Sequence, residues 1–220
     1  MVLTKNEEDY LKALFQLIIE SGGRKAGTNK LAEHLRISPA SVNNMLKKLK
    51  VKGLVAYEKY GKSELTPEGK AIAISLLRKH RLWETFLYQH MNFTWDEVHE
   101  VAEQLEHIQS IKLIKELDRF LGFPVKDPHG EIIPRENGEF SIHPKKTLAE
   151  IEAGQKCKLI SVNDNSAAFL KYVTQIGLAL SSEIKVEEIR EFDGSLQISF
   201  NEKIENVSRR FSEQVFVELI

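Results

Sequence analysis

Between Thr28 and Gly53 the chain reads TNKLAEHLRISPASVNNMLKKLKVKG, two short amphipathic runs joined by an Arg36-Ile37-Ser38 turn. Few folds accept that pattern. Leu31, Ala32 and Leu35 form the apolar stripe of the first run; Val42, Met45, Leu46 and Leu49 form that of the second. Ser38 is placed to cap the second helix, and Pro39 falls in its first turn, where a missing N–H costs nothing. Gly53 marks its end. A preceding helix over 7–19 carries Tyr10, Leu11, Leu14, Phe15, Leu17 and Ile18 at helical spacing, with Thr4 and Glu7 in capping-box register and Gly22-Gly23 as its stop. Downstream, LVAYEKY and SELT flank a Gly61-Lys62 tip, so 57–59 and 64–65 read as the strands of a hairpin. Helix, turn, helix and hairpin in that order make a winged helix-turn-helix.

Such a unit presents its last helix to the major groove of duplex DNA. The outward positions here are Ser38, Pro39, Ala40, Ser41, Asn43 and Asn44. Small residues allow close approach to base edges, and Asn pairs with adenine. Lys47, Lys48, Lys50, Lys59 and Lys62 are placed to meet phosphates. A lysine run alone is more often a solvated helix face; the Ser-Pro start and the wing are what favour DNA. Charge distribution agrees. Residues 1–70 hold 13 Lys/Arg against 8 Asp/Glu, although the whole chain of 220 residues carries a formal charge of −1.

Beyond Pro67 a long helix runs well past His80, and further helices read at 94–108 and 110–121. The Pro- and Gly-punctuated stretch 122–144 reads as the end of the helical part plus a linker. After it come alternating runs, KCKLISV, SEIKVEEI, SLQISF and QVFVELI, with a helical piece over 167–178. The expected fold is multi-domain and mainly α with a small β-barrel. Its parts are a winged helix-turn-helix over 1–72, a helical domain over 73–143 and an SH3-like β-barrel over 147–220. The single cysteine, Cys157, excludes an intrachain disulfide and suits a reducing, cytoplasmic setting. No run approaches about 18 consecutive apolar residues, and the start MVLTKNEEDY is neither signal nor anchor, so no membrane partner is expected.

The helical domain carries metal-type ligands at helical spacing. His80 and Glu84 are four apart, and His99, Glu103, Glu106 and His107 share one face. Carboxylates on an otherwise apolar face are costly unless paired or coordinated. Imidazole and carboxylate without thiolate suit first-row divalent ions better than a structural zinc site. A solvated acidic face with histidines incidentally aligned would show the same spacing.

The stretches EEDYLKALFQL, TNKLAEHLRISPASVNNMLKKLKVKGLV, LTPEGK, RKHRLWETFL, VHEVAEQLEH and, more loosely, PHGEIIP resemble iron- or manganese-dependent repressors of the diphtheria toxin repressor family in its three-domain form. They cover 7 to about 134, and the β-rich tail fits the family's SH3-like or FeoA-like third domain. The resemblance implies a homodimer that binds a palindromic duplex DNA operator when loaded with Mn(II) or Fe(II), and represses metal-uptake genes. It implies a primary metal site at Asp9, Glu103, Glu106 and His107. It implies a second site at His80, Glu84 and His99, with Asp127 and His129 added in some manganese-type members. A third-domain ligand is also expected; Phe169 and Tyr172 at the aligned positions are poor donors, and Asp164 stands as the substitute.

Two departures shape the metal preference. Iron-sensing relatives have methionine and cysteine where this chain has Asp9 and Glu103, so the harder donors here favour Mn(II), then Fe(II). Manganese-type relatives nearest that pattern carry an acid one turn after Asp9; Lys12 lies near that position, which argues against their two-metal cluster. Two rival functions remain open at this point: a winged-helix regulator answering to an organic ligand, and a metallohydrolase. The second fits poorly, since no separate general base or nucleophile pairs with the cluster, and no enzymatic activity is expected.

Overall fold

A computed structural model describes residues 2–20, 26–57, 62–139, 145–163 and 166–220. The chain divides into two compact units, one of Met1–His80, Glu103–Glu116 and Ile133–Ile142, the other of Arg81–Ala102, Leu117–Ile132 and His143–Ile220.

The first unit opens with α1 (Lys5–Glu20), fixed at its start by a capping box: Glu7 N–H donates to Thr4 Oγ1 at 3.3 Å and Thr4 N–H to Glu7 Oε2 at 2.9 Å. Then follow β1 (Ala26–Gly27), α2 (Thr28–Leu35) and α3 (Pro39–Val51). The α3 start is as the sequence predicts, with Ser38 accepting from Ser41 N–H at 3.2 Å and Pro39 in the first turn. Strands β2 (Val55–Ala56) and β3 (Lys62–Leu65) pair antiparallel, Val55 with Leu65 and Ala56 with Glu64. Among the described residues the first hairpin strand is Val55–Ala56, just before the expected 57–59, of which 58 and 59 lie outside the described residues. β1 adds to the far side of β3, giving the order β1-β3-β2, an edge the sequence reading lacked. Gly22-Gly23 and Lys59 lie outside the described residues.

Leu11, Leu14, Leu31, Val42, Leu46, Leu49, Leu54 and Leu77 close the core of this unit. The last of these belongs to α4 (Pro67–His90), the long helix expected after Pro67. Gly69 near its start is required by packing: an added Cβ would sit 2.0 Å from the Leu54 carbonyl oxygen. The next helices, α5 (Val98–Leu105) and α6 (Ile111–Phe120), are shorter than the sequence suggests.

The second unit holds a six-stranded antiparallel sheet, β4 (Lys146–Thr147), β5 (Lys156–Val162), β6 (Glu183–Ile189), β7 (Leu196–Phe200), β8 (Lys203–Val207) and β9 (Val215–Leu219), in the order β4-β9-β5-β6-β7-β8. The expected β domain is present, but among the described residues its ladder is open, with β4 and β8 as edges, rather than closed into a barrel. β8 escaped the sequence reading because KIENV buries only its last residue. Helix α7 (Ala167–Ile176), capped by Ser166, and the short α8 (Arg209–Ser212) complete a core around Leu159, Val162, Leu170, Val173, Ile198, Phe211 and Val215. Among the described residues no helix is long and apolar enough to cross a membrane.

The stretch after α6, read as a linker, is partly built structure. Residues 127–131 form a tight turn in which Asp127 Oδ1 accepts the backbone N–H groups of His129 and Glu131, each at 2.9 Å. Gly130, at φ +82°, lets that turn approach β5; a Cβ there would lie 2.1 Å from the Ile160 carbonyl oxygen.

Candidate metal centres and nucleic-acid face

In the first unit, one turn of α1 faces the turn that follows α5. Asp9 Oδ1, Glu106 Oε1 and His107 Nε2 are buried, lack a hydrogen bond of good geometry, and lie with their donor atoms within 4.8 Å of one another. Glu106 is fully buried. His107 Nε2 lies 3.0 Å from Asp9 Oδ1 and 3.7 Å from Glu106 Oε1, and two carboxylates and an imidazole converging in this way are an arrangement that suits a cation. The surrounding side chains fix them. His107 Nδ1 bonds Glu8 Oε2 at 2.6 Å, and Glu8 Oε1 accepts from Gln109 at 2.7 Å. With Nδ1 engaged, Nε2 is the nitrogen left to coordinate, the carboxylate–histidine pairing that orients metal ligands. Burial is the largest influence on Asp9 and pushes its carboxyl up, against the pull of His107 and Lys12.

Glu103 takes a different role from its neighbours. Its Oε1 lies 2.5 Å from Lys12 Nζ and it is absent from the Asp9 cluster of donor atoms. Lys12 also reaches Glu106, at 2.7 Å to Oε1 and 2.8 Å to Oε2. Within this unit His80 Nδ1 bonds Glu106 Oε2 at 2.6 Å.

A second cluster lies wholly in the other unit. Glu84, Asp127 and His129 are all buried, with donor atoms within 4.8 Å of one another. His99 Nδ1 approaches Glu84 Oε1 at 3.1 Å, and His129 Nδ1 approaches Glu84 Oε2 at 3.6 Å, too far for a hydrogen bond. His129 Nε2 meets the Trp95 carbonyl at 3.1 Å, and its ring stacks on the Trp95 indole at 5.6 Å. Donation there leaves Nδ1 turned to the carboxylates. Burial, then Glu84, raises the Asp127 carboxyl to about 6 against the pull of Arg81. The turn is further held by Arg81 on the Ile132 carbonyl and by Lys145, which joins Glu131 to Ser161 at 2.6 and 2.7 Å. Half-buried Phe169 and exposed Tyr172 both pack their rings on Phe211, and Asp164 lies outside the described residues.

On α3, Ser38, Pro39, Ala40, Ser41, Asn44, Lys47 and Lys48 are exposed. Asn43 is half-buried and accepts from the Tyr57 hydroxyl at 2.6 Å. Lys50 donates to the Tyr57 carbonyl and Lys52 pairs with Glu7. Lys62 belongs to β3, but its side chain lies outside the described residues.

Three family models match consecutive stretches: the iron dependent repressor N-terminal DNA binding domain over 2–62, the iron dependent repressor metal binding and dimerisation domain over 66–135, and the FeoA domain over 146–219. A solved manganese-dependent transcriptional repressor in complex with manganese is 31% identical, with a TM-score of 0.87 over 97% of this chain and 100% of that one. This chain belongs to the iron-dependent repressor family. The manganese regulator SloR is 34% identical, with a TM-score of 0.83 over 99% and 100%. The iron-dependent repressor IdeR of Mycobacterium leprae is 33% identical over 132 residues, 60% of this chain and 56% of that relative. Thus the chain's match spans little more than half the length of that curated relative. In this iron-dependent repressor family member, Glu8, Lys12, Arg81, Trp95 and Lys145 are the site-shaping residues that sequence spacing missed. A polar residue inside an apolar helical stripe, as Glu8 and Lys12 are in α1, was the available signal.

Proposed function

We propose that the protein is a Mn(II)- or Fe(II)-activated transcriptional repressor that binds a palindromic operator as a homodimer. The observation that carries this reading is the set of three convergent donors, Asp9, Glu106 and His107, that joins α1 of the DNA-binding part to the segment after α5. A divalent ion bound there would add positive charge between the Asp9 and Glu106 carboxylates and a link between the two segments. Asp9 holds the α1 side, Glu106 and His107 hold the other, and Glu8 keeps the His107 ring turned. The oxygen-rich donor set favours Mn(II), with Fe(II) next. Glu84, His99, Asp127 and His129 would hold a second ion.

α3 is the element offered to the major groove, with Ser38, Ala40, Ser41 and Asn44 toward base edges and Lys47 and Lys48 toward phosphates. Two such helices must stand about 34 Å apart to read successive turns of one DNA face, which calls for a dimer. Its surface is sought among Tyr88, Met91, Phe120, Phe123 and Val125, large apolar side chains exposed on the second unit. Metal and DNA then raise one another's affinity. The division into parts 1–72, 73–143 and 147–220 assigns DNA binding, metal binding with dimerisation, and an accessory β domain.

The experiment is calorimetric titration of Mn(II), Fe(II) and Mg(II) into the metal-stripped chain, followed by duplex binding with each. Saturable binding of Mn(II) that raises duplex affinity supports the reading; equal duplex affinity in every condition removes it.

A further inference from the structure

Tyr57 lies along two turns of α3. Its hydroxyl donates to Asn43 Oδ1 at 2.6 Å, and its carbonyl accepts from Lys50 Nζ at 2.8 Å, seven residues further along the helix. The residue is buried and belongs to the core of the first unit with Leu46 and Leu49. Held at hydroxyl and carbonyl, with its ring packed, it has little freedom to swing, so the core fixes where the hydroxyl stands.

Asn43 stands at the border of the outer face of α3. It is half-buried, between Ala40 three residues before it and Lys47 four after, both exposed. Its amide carries one acceptor oxygen and two N–H donors on the two arms of a planar group. The oxygen is turned to a buried hydroxyl, so the nitrogen is the arm left for the outer face.

That difference matters at a base edge. Asparagine pairs with adenine through both arms, the oxygen accepting from N6 and the nitrogen donating to N7. Guanine offers two acceptors, O6 and N7, and so meets a donor alone. An amide free to rotate would read adenine, as the sequence suggests. One whose oxygen is taken sets N–H against N–H at adenine N6.

We propose that Tyr57 is a specificity-determining positioning residue: by holding Asn43 Oδ1 it makes Asn43 a donor-only reader that favours guanine over adenine in the major groove. This rests on α3 being the groove helix, as read above.

The test is in vitro selection from a duplex library by the full-length chain, with and without Mn(II), followed by anisotropy on single-base variants of the selected duplex. Asn43→Ala identifies the base pair concerned, as the position whose discrimination it flattens. There the unsubstituted chain is expected to prefer guanine to adenine by about fivefold or more. Tyr57→Phe, which keeps the packed ring, should move the preference at that position toward adenine by a similar factor. The double variant should match Asn43→Ala alone there, because Tyr57 acts through Asn43. A merely structural role for Tyr57 would weaken every duplex alike and reorder none, which overturns the proposal. Adenine preferred by the unsubstituted chain overturns it too, and that result needs no variant of Tyr57 to fold. So does an Asn43→Ala chain that loses discrimination at no position. If the chain selects no duplex in either condition, the DNA reading of α3 fails, and the proposal falls with it.

Discussion

Glu8 and His107 show at the scale of single residues how the centre is set. The 2.6 Å bond from His107 Nδ1 to Glu8 fixes the ring before any ion binds. Glu8→Gln keeps the size but weakens the carboxylate's hold, so Mn(II) affinity should fall about 10- to 100-fold with little change in melting temperature; calorimetry on the metal-stripped chain reads it. Asp9→Ala and His107→Ala should leave a folded chain whose duplex affinity no longer rises on adding Mn(II), measured by fluorescence anisotropy. A wild-type response in either variant would remove that residue from the centre. Asp9 is not visible from spacing at all, since one acid among Glu7, Glu8 and Asp9 looks like the acidic first turn of any helix. Only the resemblance picks it out and points to Lys12 one turn on, and only the packing shows Glu8 holding His107.

Elements carry the next level of the argument. Helix α3 is legible down to its cap because Ser38, Pro39 and the apolar stripe are local signals. The wing is less so: its first described pairs are Val55 with Leu65 and Ala56 with Glu64, ahead of the strand read at 57–59, because the alternation in LVAYEKY marks a strand but not where its pairing begins. The turn at 127–131 was hidden by its own composition, as Pro128 and Gly130 are also what a linker contains. At Gly130 backbone conformation and close packing both exclude a side chain, and Gly122 isolates the first of these. Gly130→Ala meets both a positive φ and the Ile160 carbonyl, whereas Gly122→Ala, at φ +73°, meets open space. Thermal melts should show a loss of about 2–3 kcal/mol or more for the first and about 1 kcal/mol for the second. On α3, Lys47→Ala should weaken binding to every duplex alike and reduce the log–log salt slope by about 1. An unchanged slope takes Lys47 out of the phosphate contacts.

For the whole molecule, two compact units each hold a cluster of ligand-type side chains, fully buried only in the second. The open six-stranded sheet, expected as a barrel, shows why topology is the least legible level: alternation fixes which face of a strand is buried, but not whether the last strand meets the first. An ion held by the folded chain and not by the unfolded one stabilises the fold, so stability and metal are linked. At a free Mn(II) concentration of 100 times Kd the gain is about 2.7 kcal/mol per site, visible as a rise in melting temperature that Mg(II) should not reproduce. The central claim is that duplex binding is conditional on the metal held by α1 and the segment after α5. Its most direct measurement is anisotropy titration of the stripped chain on a duplex recovered by in vitro selection, with Mn(II), with Fe(II), and with a chelator alone. A metal-gated repressor binds that duplex at least about tenfold more tightly with Mn(II) than with chelator, a coupling of about 1.4 kcal/mol. Equal affinity in the presence of chelator would contradict it.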